Sequence, residues 1–409
     1  MTLPKNTTRK IVPLLLLFIV GCFVVFYQFL SIPKNTTFDE IEFAKLALQL
    51  GKQPYAPYSQ LATGHATFYF YLILLSFKLF GVGLFALRFP AALFGILNPL
   101  VFYLLLKKMF KNYLPLLLSL IFISLRWYFN FARFGFEVTF LLFLELSSLY
   151  FMFRFLEKKK YQNLIISGIF AGLAYNSYQP GRIFILIPLL LFFSSIIKNR
   201  AILWKSAVYF LVPFFLLVLP LIIYLNIHKD TRFYQQFYPD NHEMTLEEKG
   251  QFFMRNLTST SGIFNVNGDV NGRHNYPNKA ALNPILGLMF LVGLLLAIIK
   301  IKERNNQLFL LWFFLSLAPT LVTYPWENPN MLRTFTVIPS VVYFIGLTIK
   351  QLSNISFLQK PVLKKVFLVV IVIIVSASSF YELRTYFVHQ AQVFKEAFEA
   401  QRDITSYLQ

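Results

Sequence analysis

Eleven apolar runs of roughly 16 to 23 residues recur along the chain, at about 11–30, 84–106, 113–127, 136–156, 162–178, 182–197, 206–225, 284–299, 307–323, 333–349 and 366–381. Runs of that length predict helices able to cross a bilayer whose hydrocarbon core is about 30 Å thick. A twelfth apolar stretch, "ATFYFYLILLSFKLFG" at 66–81, is expected to lie along the outer interface instead. Counting it as a span would invert the charge pattern of everything after it.

That charge pattern sorts the connectors into two sets. One is short and basic: "TTRK", "KKMFK", "RFLEKKKY", "KNRAILWK", "KIKERNN" and the stretch from Lys350 to Lys365. With Lys5 it holds 20 of the 38 Lys and Arg residues, against only two acids, Glu157 and Glu303. The remainder of the chain is nearly neutral, so the basic set is expected on the cytoplasmic side and the long loops outside. The N-terminus then lies inside. The overall +20 charge follows this sidedness and does not indicate nucleic acid.

Composition agrees. Hydrophobic residues make up 57% of 409 positions and charged residues 14%, too little polar surface for a soluble domain. The single cysteine, Cys22, lies in the first run, which excludes an internal disulfide or a cysteine-based metal site. The expected organisation is one transmembrane domain over 1–409, with a first outer loop at 31–83, a long outer loop at 226–283 and a short outer tail at 382–409. Thr245 and Glu248 have capping-box spacing, predicting a helix near 246–257, while "NVNGDVNGRHNYPNKAALNP" is expected to form loop.

Ordered motifs give these loops a chemical reading. "FDEIEFA" follows the first run; "GHATFYFYLILLSFKLFG" and "ALRFPAALFGIL" follow it. "ARFGFEVTFLLFLELSSLYF" with "GIFAGLAYNSYQPGRIFIL" occupies the middle, and "GDVNGRHNYPNKAALNPILGLMFLVGLL" comes late. This ordered set, over about residues 10–350, resembles the GT-C glycosyltransferases, the polytopic class that includes protein O-mannosyltransferases and the aminoarabinose transferase of lipid A. The resemblance implies an all-α GT-C fold and inverting transfer of a sugar from a polyprenyl-phosphate donor to a lipid, glycan or protein acceptor at the outer face of the plasma membrane. It also implies that the acidic residue of the first outer loop is the catalytic base, and Asp39 is the matching position. Where the family has His-Pro-Pro, this chain has "HAT", keeping His65 without the prolines.

The residues themselves support some roles and supply duller ones. Asp39 is a carboxylate that could take the proton of an attacking hydroxyl. Glu40 is expected to support it, although Thr37 and Glu40 also have capping-box spacing. A lipid phosphate leaving group calls for cations near membrane level. His65, Arg88, Arg126, Arg133, Arg182, Arg273, His274 and Arg333 are candidates, Arg273 and His274 above the rest because glycine and asparagine surround them. Span-end arginines also snorkel to headgroups. Glu137 is grouped with the substrate-binding residues, yet its spacing from Arg133 equally predicts an i,i+4 ion pair. Glu145, deeper in the same run, has no partner that the sequence supplies. "NVNGDVNG" lacks the twelfth-position glutamate of a calcium loop, and no histidines pair at i,i+4, so no metal or other cofactor is expected. A transporter or flippase is the alternative, but such proteins concentrate polar residues in mid-membrane helices, whereas here they gather in loops.

Overall fold

A computed structural model describes residues 5–196, 200–228, 235–356 and 360–408. Parts of the expected 182–197 run, the 226–283 loop, two basic connectors and residue 409 lie outside the described residues. Each of the eleven apolar runs carries helix. The order is α1 (Lys5–Phe26), α2 (Phe38–Leu50), α3 (Phe68–Phe80), α4 (Leu84–Leu106), α5 (Leu114–Ser124), α6 (Arg126–Phe131), α7 (Val138–Lys158) and α8 (Tyr161–Tyr175). Then come α9 (Gly181–Phe184), α10 (Leu186–Ile196), α11 (Arg200–Ile227), α12 (Leu246–Gly262), α13 (Pro284–Ile299), α14 (Arg304–Leu321), α15 (Ile338–Ser353), α16 (Pro361–Arg384) and α17 (Ala391–Ala397). The short strands β1 (Tyr58–Ser59) and β2 (His65–Ala66) pair antiparallel inside the first long loop.

Among the described residues, five helical stretches are long and apolar enough to cross a membrane: Leu84–Leu106, Val138–Lys158, Trp204–Ile227, Phe335–Ser353 and Pro361–Ala397. Of the other runs, the first lies in the 22-residue α1, and the rest form shorter helices or are broken. The run at 113–127 stops at Ser124, because Leu125 turns extended, and α6 restarts in a new direction. The 66–81 stretch becomes α3, 13 residues long; at 1.5 Å per residue that is roughly 20 Å, short of the hydrocarbon thickness. Its Phe70, Ile73 and Phe77 are buried, and it packs on α2 and α4.

Helix α4 packs against α1, α3, α5 and α7, while α7, α8 and α11 form a continuous row and α13 lies along α15. Two crossings are set by glycine. A Cβ on Gly293 would sit 1.8 Å from the Phe344 carbonyl oxygen, and one on Gly168 would sit 2.2 Å from that of Phe210. Small residues thus bring backbones together where apolar burial against lipid offers little drive. On α11 the residues Val208, Val212, Phe215, Leu216 and Ile223 are exposed, the outward face of an apolar helix.

Several connectors meet one another. Lys108 pairs with Glu157 at 2.5 Å, Lys300 donates to Gln351, and Arg304 lies over Phe153. These contacts join basic connectors that lie far apart in sequence. Among the other connectors the backbone bridges Thr36 to Ala400 and Phe237 to Thr323.

Candidate active site

The site is built around the first turn of α2. Thr37 caps the helix: its Oγ1 accepts from Glu40 N at 3.0 Å, and Glu40 Oε2 accepts from Thr37 N at 3.1 Å. With the helix start fixed, successive side chains diverge by about 100°. Glu40 turns inward and is fully buried; Asp39 turns out, its side chain 52% exposed. The buried carboxylate also accepts from Arg88 Nε at 2.8 Å, Arg88 Nη2 at 2.9 Å and Gly135 N at 2.9 Å.

Asp39 meets the long loop. Arg273 Nη1 donates to Asp39 Oδ2 at 2.8 Å, across 234 residues of sequence. Residues 267–283 form the irregular loop that their Asn-Gly and Pro content predicts, and buried polar groups hold it. Asn130 Nδ2, on α6, donates to the carbonyls of Arg273 and His274 at 3.0 and 3.1 Å. Arg126, one turn earlier, reaches Asn275 Oδ1 and the Ala280 carbonyl. The break at Leu125 aims both side chains at this loop.

Asp269 is the loop's internal organiser. Its Oδ1 accepts from Asn271 N, and its Oδ2 accepts from Met331 N and lies 2.8 Å from His274 Nδ1. One buried carboxylate thereby orients His274 and ties the loop to the segment 330–333. There Asn330 Oδ1 accepts from Leu332 N and Arg333 N, and Arg333 pairs with Glu327. His65, at the start of β2, is buried with its Nδ1 3.3 Å from Glu137 Oε1.

These segments enclose a polar cavity of about 390 Å³. Asp39, His65, Arg273, His274 and Arg333 all line it, together with Asp269. Next to it, sharing Tyr178, Gln236 and Arg333 as walls, lies an apolar cavity of about 320 Å³ lined by Pro180, Ile183, Phe237 and Pro319. Arg182 lines this second cavity. A charged chamber therefore adjoins a greasy one, with arginine at the junction. Among the described residues no three His, Cys, Asp or Glu side chains gather to hold a metal ion.

Five sequence candidates lie elsewhere, among them Arg126, whose guanidinium is taken up by Asn275 and the Ala280 carbonyl. Glu40 is walled off from the cavity by its own partners. The Arg88 donors are taken by Glu40 and by the carbonyls of Pro33 and Asn35. Arg133 donates to the carbonyls of Val24, Val25, Gln28 and Ile32, which close the end of α1, and to the Tyr386 hydroxyl, so all five of its N–H groups are taken. Glu137 sits beside His65, and the expected i,i+4 pair with Arg133 does not form. The turn through Gly135 separates them, and Arg133 is drawn to the carbonyl-rich end of α1, where cations are favoured. Sequence reasoning in turn missed Asp269, Tyr178, Gln236 and Trp326. Asp269 carried one usable signal, an Asp two residues before Asn271 in a turn-rich run, the pattern of a side chain that accepts from its own loop.

This architecture, a bundle of apolar helices whose loops build one polar chamber, is the GT-C fold. The sequence model of the dolichyl-phosphate-mannose-protein mannosyltransferase family matches residues 64–224. Among solved structures, ArnT from Cupriavidus metallidurans bound to undecaprenyl phosphate superposes with a TM-score of 0.54 at 13% identity, covering 96% of this chain and 77% of that one. The archaeal oligosaccharyltransferase AglB from Archaeoglobus fulgidus, in complex with an inhibitory peptide and a dolichol-phosphate, gives 0.57 at 13% identity, covering 97% of this chain. This chain spans 56% of AglB. No curated protein matches in sequence. The resemblance to GT-C glycosyltransferases drawn from the sequence motifs holds.

Proposed function

We propose that the protein is an inverting membrane glycosyltransferase that moves one sugar from a polyprenyl-phosphate donor to an acceptor presented at the outer face, with Asp39 as general base. The observation that carries this is the meeting of Asp39 with four cationic or imidazole side chains in one chamber that adjoins an apolar cavity. ArnT is bound to undecaprenyl phosphate and AglB to dolichol-phosphate, and a carrier of that kind suits this pair of cavities.

In this reading the prenyl chain lies along the apolar cavity, Arg182 and Arg333 meet the phosphate, and the sugar enters the polar chamber. The acceptor hydroxyl gives its proton to Asp39 as its oxygen attacks the anomeric carbon. The carbon–oxygen bond to phosphate breaks on the far side, and the charge growing on the leaving phosphate is met by arginine and His274. Arg273 orients the Asp39 carboxylate; Asp269 orients His274. Glu40, Arg88 and Arg133 shape the loop that carries Asp39. The concentration of basic residues in the other connector set supports an outer-face site in a multi-pass plasma-membrane protein, and α3 fits an interfacial helix by its length.

The test is transfer from labelled polyprenyl-phosphate sugars by the purified protein in lipid nanodiscs. Asp39→Asn is expected to cut turnover by about 10² to 10⁴, the usual worth of a positioned base, with unchanged thermal unfolding. Full activity in that variant ends the assignment.

A further inference from the structure

At the rim of the polar chamber stands an indole that the transfer reaction leaves without a role. Trp326 lines the chamber yet is 66% exposed. Trp127 and Trp312 are buried in the core, and Trp204 is exposed on the apolar outward face of α11. Trp326 alone among the four projects from a polar loop. Its indole is therefore open to whatever enters the chamber.

The ring is also held still. It stacks on Tyr324, with centroids 4.5 Å apart and planes 18° apart. Phe252, from α12, packs edge-on to Trp326 and to Tyr324, at 6.3 and 6.2 Å. Tyr238 backs both Phe252 and Tyr324, and its hydroxyl donates to the Leu321 carbonyl. Burial pushes the Tyr238 phenol up, so it remains a neutral donor. The loop beneath is pinned by Asn328 Nδ2, which donates to Asn256 Oδ1 and the Thr320 carbonyl at 2.9 Å each. Three aromatic rings from three segments thus back one indole at the mouth of the chamber. Beside it Glu327 and Arg333 form an ion pair that lines the same space.

A rigid aromatic face with charged hydrogen-bonding groups at its edge matches the two-sided chemistry of a sugar ring. The C–H groups of a hexose carry slight positive charge and lie on the negative face of the indole. Its hydroxyls, at the ring perimeter, take bonds from carboxylate and guanidinium. We infer that Trp326 is a glycan-stacking platform, binding one hexose ring that belongs either to the lipid-linked donor or to a sugar-bearing acceptor. This rests on the glycosyltransferase reading for the ring's relevance, but not on Asp39 being the base.

The experiment uses the full chain in nanodiscs carrying Asp39→Asn, which blocks turnover without touching the platform. Undecaprenyl-phosphate mannose, undecaprenyl-phosphate glucose, bare undecaprenyl phosphate and methyl hexosides are titrated against indole fluorescence and against equilibrium binding of labelled ligand. A sugar-bearing ligand is expected to change the emission where Trp326 is present and not in Trp326→Phe. Trp326→Ala is expected to weaken binding of that ligand about tenfold, with Trp326→Phe restoring most of it and bare lipid phosphate unaffected. Loss confined to the lipid-linked sugars assigns the platform to the donor; loss confined to the hexosides assigns it to the acceptor. Equal binding of every sugar ligand by Trp326→Ala and its parent, or binding of none by the parent, overturns the inference. Transfer activity in Asp39→Asn defeats the base assignment alone and leaves the platform result standing.

Discussion

Asp39 and Glu40 are chain neighbours with opposite fates, and the helix rotation between them is the cause. Glu40 lies among four donors with no exposure, and Asp39 faces the chamber. Removing one partner of a buried ion pair leaves the other charge uncompensated, at a cost of about 3 to 5 kcal/mol. Glu40→Gln and Arg88→Met are therefore expected to lower the thermal unfolding midpoint strongly in detergent. Their double variant should lose much less than the two losses added, because both remove one interaction. Independent losses that simply add would show that the pair does not hold the loop. The capping box was legible at Glu40 from four residues of sequence, whereas Arg88 as its partner was not, since that contact spans 48 positions. Arginine at a span end reads alike whether it meets a phosphate, a carboxylate or a helix terminus. Arg333 and Arg133 separated only once the neighbouring backbone was in place.

Among the elements, the apolar helices were readable because a run of about 20 apolar residues has few other uses. Their breaks were not. Leu125 continues the hydrophobic run, yet the chain bends there so that Arg126 and Asn130 can hold the loop at 271–280. A pattern of apolar residues records burial and says little about such a bend. The crossings are similarly hidden, since a glycine in an apolar helix looks permissive until a carbonyl is found against it. Gly293→Ala forces a methyl group onto the Phe344 carbonyl and separates α13 from α15. Overpacking of this kind costs about 1 to 3 kcal/mol. Gly250→Ala, on α12 with open space around its Cβ, is the control expected to unfold like the parent. Equal midpoints for the two variants would refute the close approach.

For the whole molecule, charge read from the sequence sorted the connectors into two groups, and contacts among the described residues join members of the same group: Lys108 with Glu157, Lys300 with Gln351, Thr36 with Ala400. That agreement is physical, because a polar connector must leave the apolar layer at one end or the other. Which end faces the cytoplasm is tested with the chain's lone cysteine removed by Cys22→Ser. A membrane-impermeant maleimide is expected to label Glu396→Cys in intact cells and Lys158→Cys only after permeabilisation. The reverse pattern would place the chamber inside and remove the outer-face reading.

One contact has a bearing on how the protein is made. Ala400 bridges Thr36, the Glu399 carboxylate accepts from the Phe38 amide, and α17 packs on Gly272. Residues near 400 thus brace both the turn that bears Asp39 and the loop that bears Arg273. Residues 399 and 400 must be made before this brace exists, so a chain arrested ahead of them has both walls of the chamber unbraced. Truncation after Phe398 would leave each of the helices α1 to α17 in place and still loosen the turn that bears Asp39.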